Sequence, residues 1–154
     1  MKFSGELTVK APRGKVFDAL RDARFFASCV EGVRDLAELA PDRFAAVFDT
    51  KVAYMKFSFK VVVELVRADP PRQIEAKIEG APLGIVGRLT ATSLTTLTEA
   101  GEETRIAYDV DAALTGKLGS LGQPVLRAKS REMEKQFAAR LQAAFDQSKT
   151  EAVR

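Results

Sequence analysis

Between Val33 and Leu114 every long segment reads as a strand, and the chain then turns into a single long amphipathic helix. That helix carries Leu126, Met133, Phe137, Leu141 and Ala144 on one stripe, spaced by three, four or seven residues. With no second long helix available, the stripe has to be buried on a sheet. The expected architecture is therefore a strand-rich body closed by its final helix.

The strands follow from period-two alternation broken by turn residues. Phe3, Gly5, Leu7 and Val9 alternate with polar residues until Ala11-Pro12. Val16, Phe17 and Leu20 then recur at helical spacing from Arg13 to Asp22, and Ala23 to Val30 reads as a second short helix carrying Phe25 and Phe26, stopped by Gly32. Strands are predicted at Val33–Leu39, Phe44–Val52, Phe57–Val66, Gln73–Glu79, Ile85–Leu97 and Thr104–Leu114. Turns this short join antiparallel neighbours, since a parallel pair needs a crossover of a dozen or so residues. One face of the resulting sheet collects Phe44, Ala46, Phe48, Thr50 and Val52, then Phe57, Phe59, Val61, Val63 and Leu65, then Ile74, Ala76 and Ile78, and finally Ile106, Tyr108, Val110 and Ala112. This is a broad apolar concave surface in need of a cover.

The join between last strand and helix, Gly116-Lys-Leu-Gly119-Ser-Leu-Gly122-Gln-Pro124, breaks the pattern. Leu118, Leu121 and Val125 fall off the helical stripe at about 100° per residue, so the helix is expected to kink or begin afresh at Gly122 and Pro124. Two readings stand: a short 3₁₀ turn whose leucines pack on a neighbouring loop, or a mobile apolar gate. The glycine spacing matches neither the dinucleotide nor the Walker pattern, so this is not a phosphate loop.

Composition narrows the chemistry. The 154 residues, with 46% hydrophobic and 29% charged, fit one domain, read as residues 1–148 with a polar tail at 149–154. There is no histidine, which removes the commonest general base and a common metal ligand. Cys29 is the single cysteine, expected as a small buried hydrophobe in a cytoplasmic protein. A net charge of +3 is too diffuse for nucleic acid, and no apolar run is long enough to span a bilayer, so any membrane contact is expected to be peripheral.

Catalytic components are not visible. Asp49, Glu64, Asp109 and Asp111 alternate away from the apolar face, and Arg127, Arg131, Glu132, Glu134 and Lys135 read as the helix exterior. Tyr108 points inward, where its hydroxyl either serves a ligand carbonyl or satisfies a neighbouring backbone group.

The element order, together with Gly5–Pro12 followed by Val16-Phe-Asp-Ala-Leu-Arg-Asp22, then Cys29-Val-Glu-Gly32, and above all Gly116-Lys-Leu-Gly-Ser-Leu-Gly122, resembles the G-subunit family of carbon monoxide dehydrogenase. That family belongs to the START-like polyketide cyclase and lipid-transfer superfamily. The resemblance covers residues 1 to 145, with Glu31 standing where the family has proline. It implies an α+β helix-grip fold: a curved antiparallel sheet of about seven strands, two short helices after the first strand, and a C-terminal helix closing a hydrophobic cavity. It also implies a non-enzymatic accessory protein that couples a molybdenum-containing carbon monoxide dehydrogenase-type hydroxylase to the membrane. The cavity would hold a quinone or other lipid, with no metal or covalent cofactor.

In that frame the ligand tail is expected along Phe48, Phe57, Phe59, Ile78 and Met133, and its ring by Phe26, Leu121 and Val125, with Tyr108 in hydrogen-bonding reach. Gly116, Gly119, Gly122 and Pro124 would form the gate. Two alternatives remain open, a cyclase or hydratase needing inward ionisable groups and a docking module with a filled core.

Overall fold

Apolar alternation pairs the strands in chain order. In the computed structural model, which describes residues 1–153 and side chains through Asp146, the elements are β1 (Lys2–Val9), α1 (Arg13–Arg21), α2 (Ala23–Ser28), β2 (Val33–Ala40), β3 (Arg43–Val52), β4 (Met55–Asp69), β5 (Gln73–Pro82), β6 (Gly87–Ala100), β7 (Glu103–Gly116), a 3₁₀ turn (Gly119–Leu121) and α3 (Gln123–Val153). The seven strands form one sheet in the order β1-β7-β6-β5-β4-β3-β2. Every neighbouring pair is antiparallel, with β1 returning beside β7. The predicted polar tail, 149–154, lies outside the described side chains.

Strand ends differ from the sequence reading where turns are tighter than their composition implies. The β3–β4 hairpin closes in two residues, Val52 opposing Met55, because Ala53 adopts φ 56°. Met55 and Lys56 therefore belong to β4 rather than to the turn. β2 carries a register shift between Arg34 and Ala37, with Asp35 at φ 55°. Such bulges blunt an edge strand. On the convex face Arg34 grips Asp49 at 2.6 Å, and Ser58 Oγ donates to the same carboxylate at 2.5 Å, tying β2, β3 and β4 together.

The dry core lies at one end of the sheet. Val16 and Phe17 of α1 pack there with Val9, Cys29, Leu97, Ile106, Leu141 and Phe145. Thr104, fully buried among them, donates its hydroxyl to Ala11 O at 2.7 Å and fixes the corner between β1 and α1. At the α2 start the Asp22 side chain accepts from the amides of Arg24 and Phe25, capping a helix that presents Phe25 to Phe145 at 5.7 Å. Gln142 Nε2 donates to Thr8 O at 3.0 Å, so α3 also lies along β1 and shields that edge of the sheet. This end anchors the helix; the other end is built differently.

Candidate functional site: the concave face under the terminal helix

Register places Val61 opposite Gly80, Val63 opposite Ile78, Ile78 opposite Ala91, Ser93 opposite Val110 and Thr95 opposite Tyr108 on the inner face. Burial along this face is uneven. The α1 end is sealed by the core, and near the opposite end Val52, Phe59, Ala112 and Leu118 are also buried. Between them Phe48, Val61, Val63, Ile78, Tyr108 and Val110, with Met133 of α3 above, stay half-buried. Large apolar side chains that face the terminal helix yet still touch solvent make a half-buried band between two dry ends.

The predicted ligand residues divide accordingly. Phe48, Phe57 and Phe59 form an aromatic run with centroids 6.3 and 5.9 Å apart. Ile78, Tyr108 and Met133 belong to the same band. Phe26 does not join Leu121 and Val125 as expected. Its ring packs 5.1 Å from Phe137, about 18 Å further along α3 than Val125 at 1.5 Å per residue, because α2 is held at the core end by its Asp22 cap. Leu121 and Val125 stand half-buried at the far end.

The glycine junction resolves into a packed turn. α3 begins afresh at Gln123, with Pro124 in its first turn and Gly122 at φ 88° just before it. Leu118 is buried, its Cγ 3.3 Å from where a Cβ on Gly87 would stand, so the packing reading holds for this leucine. Gly116 turns at φ 66° against the backbone of Val86 and Gly87, and Gly119 approaches Leu114 O so closely that a Cβ would stand 2.9 Å away. These two glycines are close-approach points. The gate reading is left to Leu121 and Val125.

Glu134 is where the sequence reading fails. Read as exterior, it is half-buried and faces Tyr108. Burial first, then the charge of Glu134 and a hydrogen bond to it, raise the Tyr108 pKa above the usual phenol value. Gly5 makes the arrangement feasible, since a side chain there would collide with the Tyr108 hydroxyl. Helical phase held the missed signal: Glu134 precedes Phe137 by three residues, so it flanks the apolar stripe. Among the described residues the concave face thus holds Tyr108 and Glu134 as neighbouring ionisable groups, and the neutral hydroxyls of Ser93 and Thr95 share the face.

Other polar groups serve different ends. Arg127 lies 6.0 Å above the Phe3 ring, and Lys129 pairs with Glu132 at 3.2 Å. The Cys29 thiol is buried and its pKa raised, chiefly by that burial, which makes it unreactive. A recess of about 340 Å³ opens at the α1 end, lined by Arg13, Asp69, Arg72, Gln73, Thr96, Leu97 and Thr98. Its polar walls and internal Asp69–Arg72 ion pair at 2.8 Å suit water rather than an apolar molecule. Size alone does not make it the site.

The model of the family described as the G subunit of carbon monoxide dehydrogenase (CoxG) matches residues 5–145, nearly the whole chain. The chain belongs to that family. The matched span contains the concave band, the Tyr108–Glu134 pair and the glycine junction. A conserved protein from Geobacillus kaustophilus superposes with a TM-score of 0.88 at 21% identity, covering 96% of this chain and 97% of its own. A START superfamily protein from Mycobacterium smegmatis gives 0.72 at 13% identity, covering 95% and 97%. The Zhui aromatase/cyclase from Streptomyces sp. R1128 gives 0.70 at 14% identity, covering 95% and 93%. These likenesses show the START-like fold. A search of curated proteins found no match. No helix among the described residues of this CoxG chain is long and apolar enough to cross a membrane.

Proposed function

We propose that the chain is a carrier for a lipid-like ligand of the quinone class, serving a molybdenum-containing carbon monoxide dehydrogenase-type hydroxylase by linking it to the membrane pool. The half-buried apolar band between two dry ends carries this reading, with family membership supplying the partner enzyme. The tail would lie along Phe48, Phe57, Phe59, Ile78 and Met133. The headgroup would reach Tyr108 and Glu134.

That pair favours one redox form. A ligand hydroxyl can donate to the Glu134 carboxylate, whereas a ligand carbonyl can only accept from the Tyr108 hydroxyl and meets repulsion from the carboxylate beside it. The hydroxyl-bearing quinol should therefore bind more tightly than the quinone.

Native mass spectrometry with organic extraction, paired with thermal denaturation, tests the proposal. A ligand at about 100 times its Kd stabilises by about 2.7 kcal/mol, or about 5–10 °C at this chain length. Absence of any extracted lipid, with no shift on adding long-chain quinones or quinols, would refute it. The same pair keeps a cyclase-type reading open, since neighbouring ionisable groups on an apolar face are what proton transfer needs. Turnover of a polyketide-like substrate that Glu134→Gln abolishes would establish that alternative.

A further inference from the structure

In the meander, the β3–β4 turn, the β5–β6 loop and the β7–α3 junction all emerge at the end of the sheet opposite the core. Backbone hydrogen bonds place them side by side: Leu83 N donates to Ser58 O at 2.8 Å, and Lys117 N donates to Val86 O at 3.1 Å. Their tips are apolar and uncovered. Tyr54 is 100% exposed, Val86 80%, Leu83 51% and Met55 47%. Four such side chains on neighbouring loops crown the same end of the sheet, and exposed apolar groups gathered this way mark interaction surfaces.

Charge identifies the partner. Residues 50–63, 80–98 and 112–131 contain eight of the 24 cations and none of the 21 acids, although Arg88 and Lys129 pair with Glu79 and Glu132 just outside these segments. Lys51, Lys56 and Lys117 are exposed and flank the tips. An apolar crest flanked by Lys51, Lys56 and Lys117, none of them in a salt bridge among the described residues, matches a bilayer with anionic headgroups, where tips enter the interface and lysines meet phosphate.

We propose that Tyr54, Met55, Leu83 and Val86, ringed by Lys51, Lys56 and Lys117, form a docking crest for an anionic lipid surface. Leu121 and Val125 follow Lys117 in the same junction, so docking would set the far end of the apolar band toward the bilayer. The inference extends the carrier reading, and its own test does not depend on ligand binding.

The chain has no tryptophan, so one introduced indole reports its own surroundings. Tyr54→Trp should shift its emission to the blue on vesicles of phosphatidylcholine containing about a quarter phosphatidylglycerol, and not on pure phosphatidylcholine. High salt should reverse the shift. Val66→Trp, on an exposed position of β4 nearer the core end, should stay unshifted. Lys51→Glu and Lys117→Glu should each weaken vesicle partition about fivefold or more, as expected for about 1 kcal/mol per lysine near the surface. Val86→Asp should do so without altering the far-UV spectrum of the free protein.

No shift at Tyr54→Trp, an equal shift at Val66→Trp, or capture of a protein by a crest indifferent to lipid would overturn the proposal. Docking by a chain that binds no quinone or quinol would leave the crest standing and remove the carrier reading; ligand binding without docking would do the reverse.

Discussion

Gly101 and Gly116 offer a matched experiment on the junction. Both adopt φ 66°, but a Cβ on Gly101 would meet nothing within 4 Å, whereas one on Gly116 would stand 2.6 Å from Val86 O and 2.7 Å from Gly87 Cα. Alanine at either site incurs about 1–2 kcal/mol of left-handed strain, which outweighs the gain from lost unfolded-state freedom. Gly101→Ala should therefore cost about 1 kcal/mol. Gly116→Ala adds an overlap with backbone that cannot rotate away, so β6 and β7 must part locally. Overpacking of that kind costs about 1–3 kcal/mol more. Urea unfolding followed by circular dichroism, at unchanged m-value, measures both, and the separation in Tm should be about 2–4 °C per kcal/mol. Hydrogen exchange should quicken at Lys117, whose amide bonds Val86 O, in the Gly116 variant alone. Equal destabilisation of the two variants would refute the close-approach argument and restore a purely conformational role for Gly116.

Leu141→Ala should cost about 2–5 kcal/mol in the same assay, since Leu141 is fully buried in the core cluster. Glu134→Gln should narrow the preference for long-chain quinol over quinone, read as the ratio of the two Kd values by calorimetry, while Tyr108→Phe should lower affinity for both. The raised pKa of Tyr108 means the folded state holds its proton more tightly than the unfolded state does, so stability should fall as pH rises above about 10, and Tyr108→Phe should remove that part of the alkaline loss. Asp49 acts in the opposite sense: the hydrogen bonds from Arg34 and then Ser58 lower its pKa, so its contribution is present above about pH 3.8 and lost as pH falls below it, which Asp49→Asn should abolish in an acid titration.

Much of the fold was legible because alternation and turn chemistry are local. Phe44 through Val52 and Phe57 through Leu65 announce their shared face without tertiary information, and Pro124 after three spaced glycines announces a helix start. What was not legible depends on contacts between distant segments. Glu134 looks like one acid in a mixed-charge face until Gly5, well over a hundred residues earlier, makes room for Tyr108 beside it. Phe26 reads as a free aromatic at the mouth until the Asp22 cap fixes α2 at the core end. Leu118 could be assigned to packing only once Gly87 was seen opposite Gly116.

The placement of the core gives α3 a mechanical character. Leu141 and Phe145 are fixed among α1, α2 and the sheet, while Gln123 lies about 27 Å away at 1.5 Å per residue, above half-buried side chains. At its other end the helix starts afresh after Gly122, at φ 88°, beside the packed Leu118. Were it to pivot on the core, a tilt of about 5° would move Gln123 by about 2 Å over that length. Core substitutions at Leu141 or Phe145 would then alter ligand exchange from a distance.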